Sequence, residues 1–147
     1  MSKPKILKTN FKDKRGKIID VFQNIKFEHS TIITFNKNSI RANHFHKKSI
    51  QYSLIINGKF IAKEAKINKK MKYNVSSVKT YKIGANYLFA HKPYEAHAYK
   101  CISPKGTMIV FTKGIRGGKN YENDRHKCTH YRDRKRNNNN IWHYPNG

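Results

Sequence analysis

In the stretch RANHFHKKSIQ, residues 41–51, two imidazoles stand one residue apart: His44 and His46, with Arg41 before them and Gln51 after them. Side chains on an extended strand alternate between faces, so on a strand both rings project to the same side. Such a pair can ligate a metal through neutral ring nitrogens. It can equally move protons, because an imidazole titrates near neutrality. Its third option is plain surface. A third imidazole, His97, lies far downstream in PYEAHAY, where Glu95 shares its face by parity and is placed to be its hydrogen-bond partner.

The elements that must carry these residues read as strands. GKIIDVF (16–22), STIITF (30–35), QYSLII (51–56), KFIAKEAKI (59–67), VKTYKI (78–83), AHAYKCI (96–102) and TMIVFT (107–112) are short, apolar and rich in β-branched and aromatic residues. Asn57-Gly58 predicts a hairpin spanning Gln51 to Ile67, since both residue types tolerate the positive φ of a type I′ turn. SPKG (103–106) predicts a second hairpin turn. Short strands at regular spacing, with little helical periodicity, imply an all-β sandwich or barrel. The Lys-rich KINKKMKYNVSS (66–77) reads as a solvated loop. After about residue 115 the apolar pattern stops. Residues 1–115 are therefore expected to form the β domain and 116–147 an irregular, basic, Asn-rich tail.

Composition narrows the chemistry. The 147 residues suit one domain, and 32 Lys and Arg against eight Asp and Glu give a formal charge of +24. That charge suits polyanions or phosphorylated small molecules, although the abundance of Lys, Asn and Ile also fits a bias toward AT-rich codons. Few carboxylates are on offer for a two-acid hydrolytic mechanism: Asp13, Asp20, Glu28, Glu64, Glu95, Glu122, Asp124 and Asp133. Cys101 and Cys128 lie far apart, with no disulfide framework and no CxxC pair. No apolar run reaches membrane-spanning length and MSKPKILKTN lacks a secretory core, so the expected location is cytoplasmic, without membrane association.

The order His44, His46, Gln51, Gly58, followed by Gly84, Pro93 and His97, resembles the two motifs of the cupin superfamily. Within it, RANHFHKKSIQ is similar to the Arg-x-x-His-x-His-Lys-x-x-x-Gln signature of nucleotide-sugar 3,4-ketoisomerases. DKRGKIIDVF (13–22) resembles the Asp-x-Arg-Gly opening shared with related sugar epimerases, and YENDRH (121–126) resembles their C-terminal Tyr-x-x-Asp segment. The likeness covers residues 10–126. It implies a cupin-type jelly-roll barrel, a homodimer, and a nucleoside-diphosphate sugar as partner. The reaction implied is isomerisation or epimerisation of a dTDP-4-keto-6-deoxyhexose in deoxysugar and polysaccharide biosynthesis.

In such a sugar the carbonyl at C4 acidifies the hydrogen on C3, so a histidine can remove it to give an enediolate whose oxygen needs stabilisation. The resemblance implies His44 and His46 as base and proton-handling partner, in an order left open. Arg41, Gln51, His97 and Tyr99 are the expected substrate-binding residues, with the Arg41 fork suited to phosphate. One departure stands out: the related ketoisomerases carry a tyrosine on the strand before the first motif, where this chain has STIITF, leaving Tyr52 or Tyr99 to reach the cavity from elsewhere. No cofactor is expected. The competing reading is a non-catalytic or metal-dependent cupin, with His44, His46, Gln51 and His97 holding a divalent ion such as zinc. His126, Cys128 and His130 alternate in the tail but lack complementary ligands nearby. A further reading is nucleic-acid association through the basic, aromatic-interleaved tail, for which no motif of defined geometry is present.

Overall fold

The computed structural model describes residues 3–68, 70, 72–73, 75–114, 125–127 and 129–130. Two five-stranded sheets face each other. The first runs in the order β1 (Lys5–Ile6), β10 (Tyr87–His91), β6 (Ile50–Asn57), β12 (Lys105–Lys113) and β4 (His29–Asn36). The second runs β13 (Arg125–Lys127), β5 (Ile40–His46), β11 (Glu95–Cys101), β7 (Phe60–Lys66) and β9 (Lys79–Ile83). All pairings within both sheets are antiparallel. Outside them lie a small hairpin of β2 (Phe11–Asp13) and β3 (Gly16–Ile18), a 3₁₀ turn at Val75–Ser77, and the parallel pair β8 (Lys72–Tyr73) and β14 (Thr129–His130). This is the all-β jelly roll that the sequence implies.

Both predicted hairpins are instead corners. β6 pairs with β10 and β12, whereas β7 pairs with β11 and β9, so Asn57-Gly58 carries the chain from one sheet to the other. Only Gly58 adopts positive φ there, at 91°, and a Cβ on it would lie 2.7 Å from Gly106 Cα. The contact is backbone against backbone, so the corner requires glycine for close approach as well as for conformation. SPKG likewise joins β11 to β12 across the two sheets, and a Cβ on Gly106 would strike the Phe60 ring at 2.4 Å. A turn signal in the sequence marks a reversal without saying whether the strands stay in one sheet.

Inward-facing residues from the two sheets fill one end of the barrel with Phe35, Ile55, Phe60, Phe89, Met108 and Val110. Each large side chain buried here is worth roughly 1.5–3 kcal/mol of transfer free energy. A second cluster, Phe45, Ala65, Ile67, Ala96 and Ala98, uses the alternate residues of β5, β7 and β11, on the outer face of their sheet. Of the expected tail, Arg125–Lys127 adds a strand beside β5, with Arg125 opposite His46. Tyr121, Asp124 and Cys128 lie outside the described residues, as do 131–147. Among the described residues, no helix is long and apolar enough to cross a membrane.

Candidate active site

Beside this core the barrel interior turns polar. The buried inward residues Glu95, His97 and Tyr99 follow one another at every second position of β11. His97 sits between two strands, opposite His44 of β5 on one side and Glu64 of β7 on the other. His91, from β10 in the facing sheet, lays its ring flat on His97, with centroids 4.1 Å apart and planes within 6°. His44 meets His46 and His97 edge-on at 4.8 and 4.9 Å.

Arg41 reaches the same side only through a break in the strand. Simple alternation would turn residue 41 away from 44 and 46. The pairing shifts, however, so that His97 faces His44 while Ala98 faces Ala42 and Tyr99 faces Arg41. The extra residue is accommodated by consecutive left-handed conformations, Ala42 at φ 72° and Asn43 at φ 57°. A β-bulge of this kind re-aims side chains. Its cost falls largely on Ala42, because non-glycine residues are strained at such φ. The Arg41 guanidinium then lies 5.5 Å from the Phe35 ring centroid.

A cavity of about 200 Å3 opens here. Phe35, Met108 and Val110 give it an apolar wall, and His44, His97, Tyr99, Gln51 and Ser53 a polar one, with the exposed residues Arg41 and Arg125 also lining it. His46 is only 2% exposed and stands behind this wall, against His44 and His97. The ring nitrogens of His44, His46 and His97 lie within 4.8 Å of one another, near enough to converge on a cation. Tyr52 is not part of the site, because it packs edge-on against Phe22 and Phe27 outside the cavity. Arg15 also stands apart, held on Asp13 by an exposed contact of 2.6 Å that shapes the β2–β3 turn.

Behind His97 runs a chain of buried polar groups. His91 Nδ1 and Glu64 Oε2 share a hydrogen bond of 2.6 Å, and His91 Nε2 is hydrogen-bonded to the Tyr99 hydroxyl. Tyr99 is also hydrogen-bonded to Ser53. The expected pairing of His97 with the Glu95 carboxylate is not what forms. His97 Nδ1 instead donates to the Glu95 main-chain oxygen at 3.1 Å, which leaves the basic lone pair on Nε2. The Glu95 carboxylate lies by Glu64 and His91, all three within 4.8 Å.

Burial dominates the electrostatics. It holds His44 and His97 well below the ordinary imidazole range, with the neighbouring imidazoles pushing the same way. It lowers His91 to about 3, with His46 adding to the effect. Burial also pushes the Glu64 carboxyl up to about 7 and raises Glu95, where the charge of Glu64 contributes next. The Tyr99 phenol is raised for the same first reason. Burial thus favours the uncharged form of each partner in the His91–Glu64 contact.

Of the residues singled out in the sequence, His44, His97, Arg41, Gln51 and Tyr99 meet in the cavity, with His46 directly behind them. His91, Glu64 and Arg125 were missed. His91 lies in YLFAH, an apolar and aromatic run that is itself strand-like, whereas Glu64 carried no signal beyond its rarity as an acid.

By sequence, no family model and no curated protein matches the chain. Solved structures do match. QdtA, a sugar 3,4-ketoisomerase from Thermoanaerobacterium thermosaccharolyticum, aligns with a TM-score of 0.64 at 18% identity, over 83% of this chain and 85% of that one. The dTDP-4-dehydrorhamnose 3,5-epimerase of Elizabethkingia anophelis NUHP1 aligns with a TM-score of 0.65 at 11% identity, over 86% and 72%. The capsular polysaccharide assembling protein CapF of Staphylococcus aureus gives 0.60 at 13% identity, and the chain spans only 32% of its length. The chain thus has the cupin-type jelly-roll fold, and its structural neighbours are dTDP-sugar ketoisomerases and epimerases.

Proposed function

We propose that this protein isomerises or epimerises a nucleoside-diphosphate-linked 4-keto-6-deoxyhexose, dTDP-linked in the first instance, in the cytoplasm. The observation that carries the reading is the convergence of a neutral imidazole, His44, and a protonated phenol, Tyr99, on a cavity lined also by Arg41 and Arg125. The volume of about 200 Å3 is below the roughly 300–1,000 Å3 of pockets that enclose a whole drug-sized ligand. It suits one sugar ring, with the diphosphate held further out by the two guanidinium groups.

In this reading His44, which lines the cavity, is the base that takes the C3 proton, and His46 supports it from behind. His97 and Gln51 orient the sugar. A neutral imidazole starts with a lone pair available, as proton removal requires. Neighbouring structures solved with TDP and with TDP-4-keto-6-deoxyglucose support the ligand class. No metal is required for this chemistry, and the protein works as a homodimer.

The test is incubation with dTDP-4-keto-6-deoxyglucose in deuterated water, followed by proton NMR. Deuterium entering at C3 or C4, with a new keto-sugar, is the expected result. Tight binding without exchange would instead identify a sugar-nucleotide-binding protein that has lost catalysis.

A further inference from the structure

We propose that Tyr99 is the acid that protonates the substrate oxygen, and that His91 and Glu64 form a proton relay feeding it from behind the cavity wall. The inference rests on the isomerase reading above and adds to it the source of the second proton. A base alone cannot complete the reaction, because the oxygen on which negative charge develops needs a donor. Tyr99 is the one phenol among the described residues lining the cavity, and Tyr52 is turned away from it. It is also the residue from which an unbroken hydrogen-bonded chain runs inward, through His91 to Glu64, with the Glu95 carboxylate alongside.

The relay requires one polarity of this chain: the Glu64 hydroxyl donates to His91 Nδ1 and His91 Nε2–H donates to the phenol oxygen, along the two hydrogen bonds that join them. Ser53 supplies a second hydrogen bond to the same oxygen. The Tyr99 O–H is then left for the substrate, and every proton in the chain points toward the cavity.

His44 takes hydrogen from C3 as a proton, the C–H electron pair becomes the C3–C4 double bond, and the carbonyl π pair moves to O4. O4 takes the Tyr99 proton, giving a neutral enediol and a phenolate. The phenolate takes the Nε2 proton of His91, and His91 takes the Glu64 proton at Nδ1. When the enediol collapses, the oxygen that becomes the carbonyl returns its proton through Tyr99, so the relay runs backward, while the protonated imidazole returns a proton to carbon. The enzyme ends as it began.

Three measurements on the 147-residue chain test this. Y99F is expected to lower kcat by about 100-fold or more with KM unchanged, the scale of losing one positioned proton donor. E64Q separates relay from scaffold, because its amide can still donate to His91 Nδ1 but cannot pass a proton on; the expected result is kcat down at least about tenfold, with KM and melting temperature unchanged. The third needs no substrate: nitrogen-15 NMR of the histidines, below the Glu64 value of about 7, should find His91 as the Nε2–H tautomer. Wild-type kcat in E64Q, or an Nδ1–H tautomer at His91, would overturn the relay. Absence of deuterium uptake by the wild-type protein would sink the isomerase reading instead, and the tautomer would then decide the relay by itself.

Discussion

His91 and His97, carried by strands of opposite sheets, stack face to face with ring centroids 4.1 Å apart. Two cations could not share that geometry, so the stack holds only while at least one of the rings is neutral. Their lowered pKa values mean that below about pH 6.5, the ordinary imidazole value, the unfolded chain binds protons that the folded one refuses. Stability therefore falls as pH drops through and below that value. Glu64 acts in the opposite sense, since the folded state holds an extra proton between 4.5 and about 7 and loses stability as pH rises across that window. His44, His91 and His97 outnumber Glu64 and Glu95. The melting temperature should fall between about pH 6.5 and 4.5, and H97Q should flatten the fall; scanning calorimetry across that range is the check.

Arg41 and Arg125 should serve binding more than chemistry. R41A and R125A are each expected to raise KM for the sugar nucleotide by roughly 10- to 100-fold, the scale of one charge-assisted hydrogen-bonding group, with kcat changed far less. R41K should recover only part of the loss, since an ammonium lacks the planar fork. Steady-state kinetics at two salt concentrations would expose the ionic part.

The bulge at Ala42 and Asn43 should be intolerant of β-branching. A42V places a branched side chain at φ 72° and is expected to cost about 2 kcal/mol, together with a rise in KM as Arg41 loses its place. A42G relieves the same strain and should stay within about 1 kcal/mol of the parent. Chemical denaturation of the two variants measures both.

The expected homodimer has a specific edge to use. β4 pairs only with β12 among the described residues, and Ile32 on it is 70% exposed. A long open edge with an exposed apolar side chain is a template for association, and a lysine on it opposes pairing. I32K is expected to shift the protein from dimer to monomer in light scattering without loss of its fold.

Metal dependence is decided by removal. Chelation followed by elemental analysis should leave the exchange reaction intact. Activity that vanishes with the metal and returns with zinc would assign His44, His46 and His97 to a cation instead.

The all-β class and much of the cavity were legible from short-range pattern. His44 and His46 share a side as alternation requires, and Tyr99 falls two residues after His97 on one face. What alternation could not reveal is where it is interrupted. Nothing in RANHFH announces that Ala42 and Asn43 adopt left-handed conformations, yet without that break Arg41 would point away from the histidines. The hairpin expected at Asn57-Gly58 failed for a related reason, since the preference of a turn is local whereas the sheet a strand joins is decided by packing across the barrel. Glu64 and His91, 27 residues apart, meet only through that packing.

Because the chain crosses from wall to wall at each corner, residues close in sequence face each other across the interior, as His91 and His97 do. Most of the site's polar groups are thus written in two compact cassettes, 41–53 and 89–99, each folding over its own corner, with Glu64, Arg125 and the apolar wall of Phe35, Met108 and Val110 brought in from outside. Such an arrangement makes the pocket portable: the two segments, exchanged together into another barrel of this shape, would carry most of its chemistry with them.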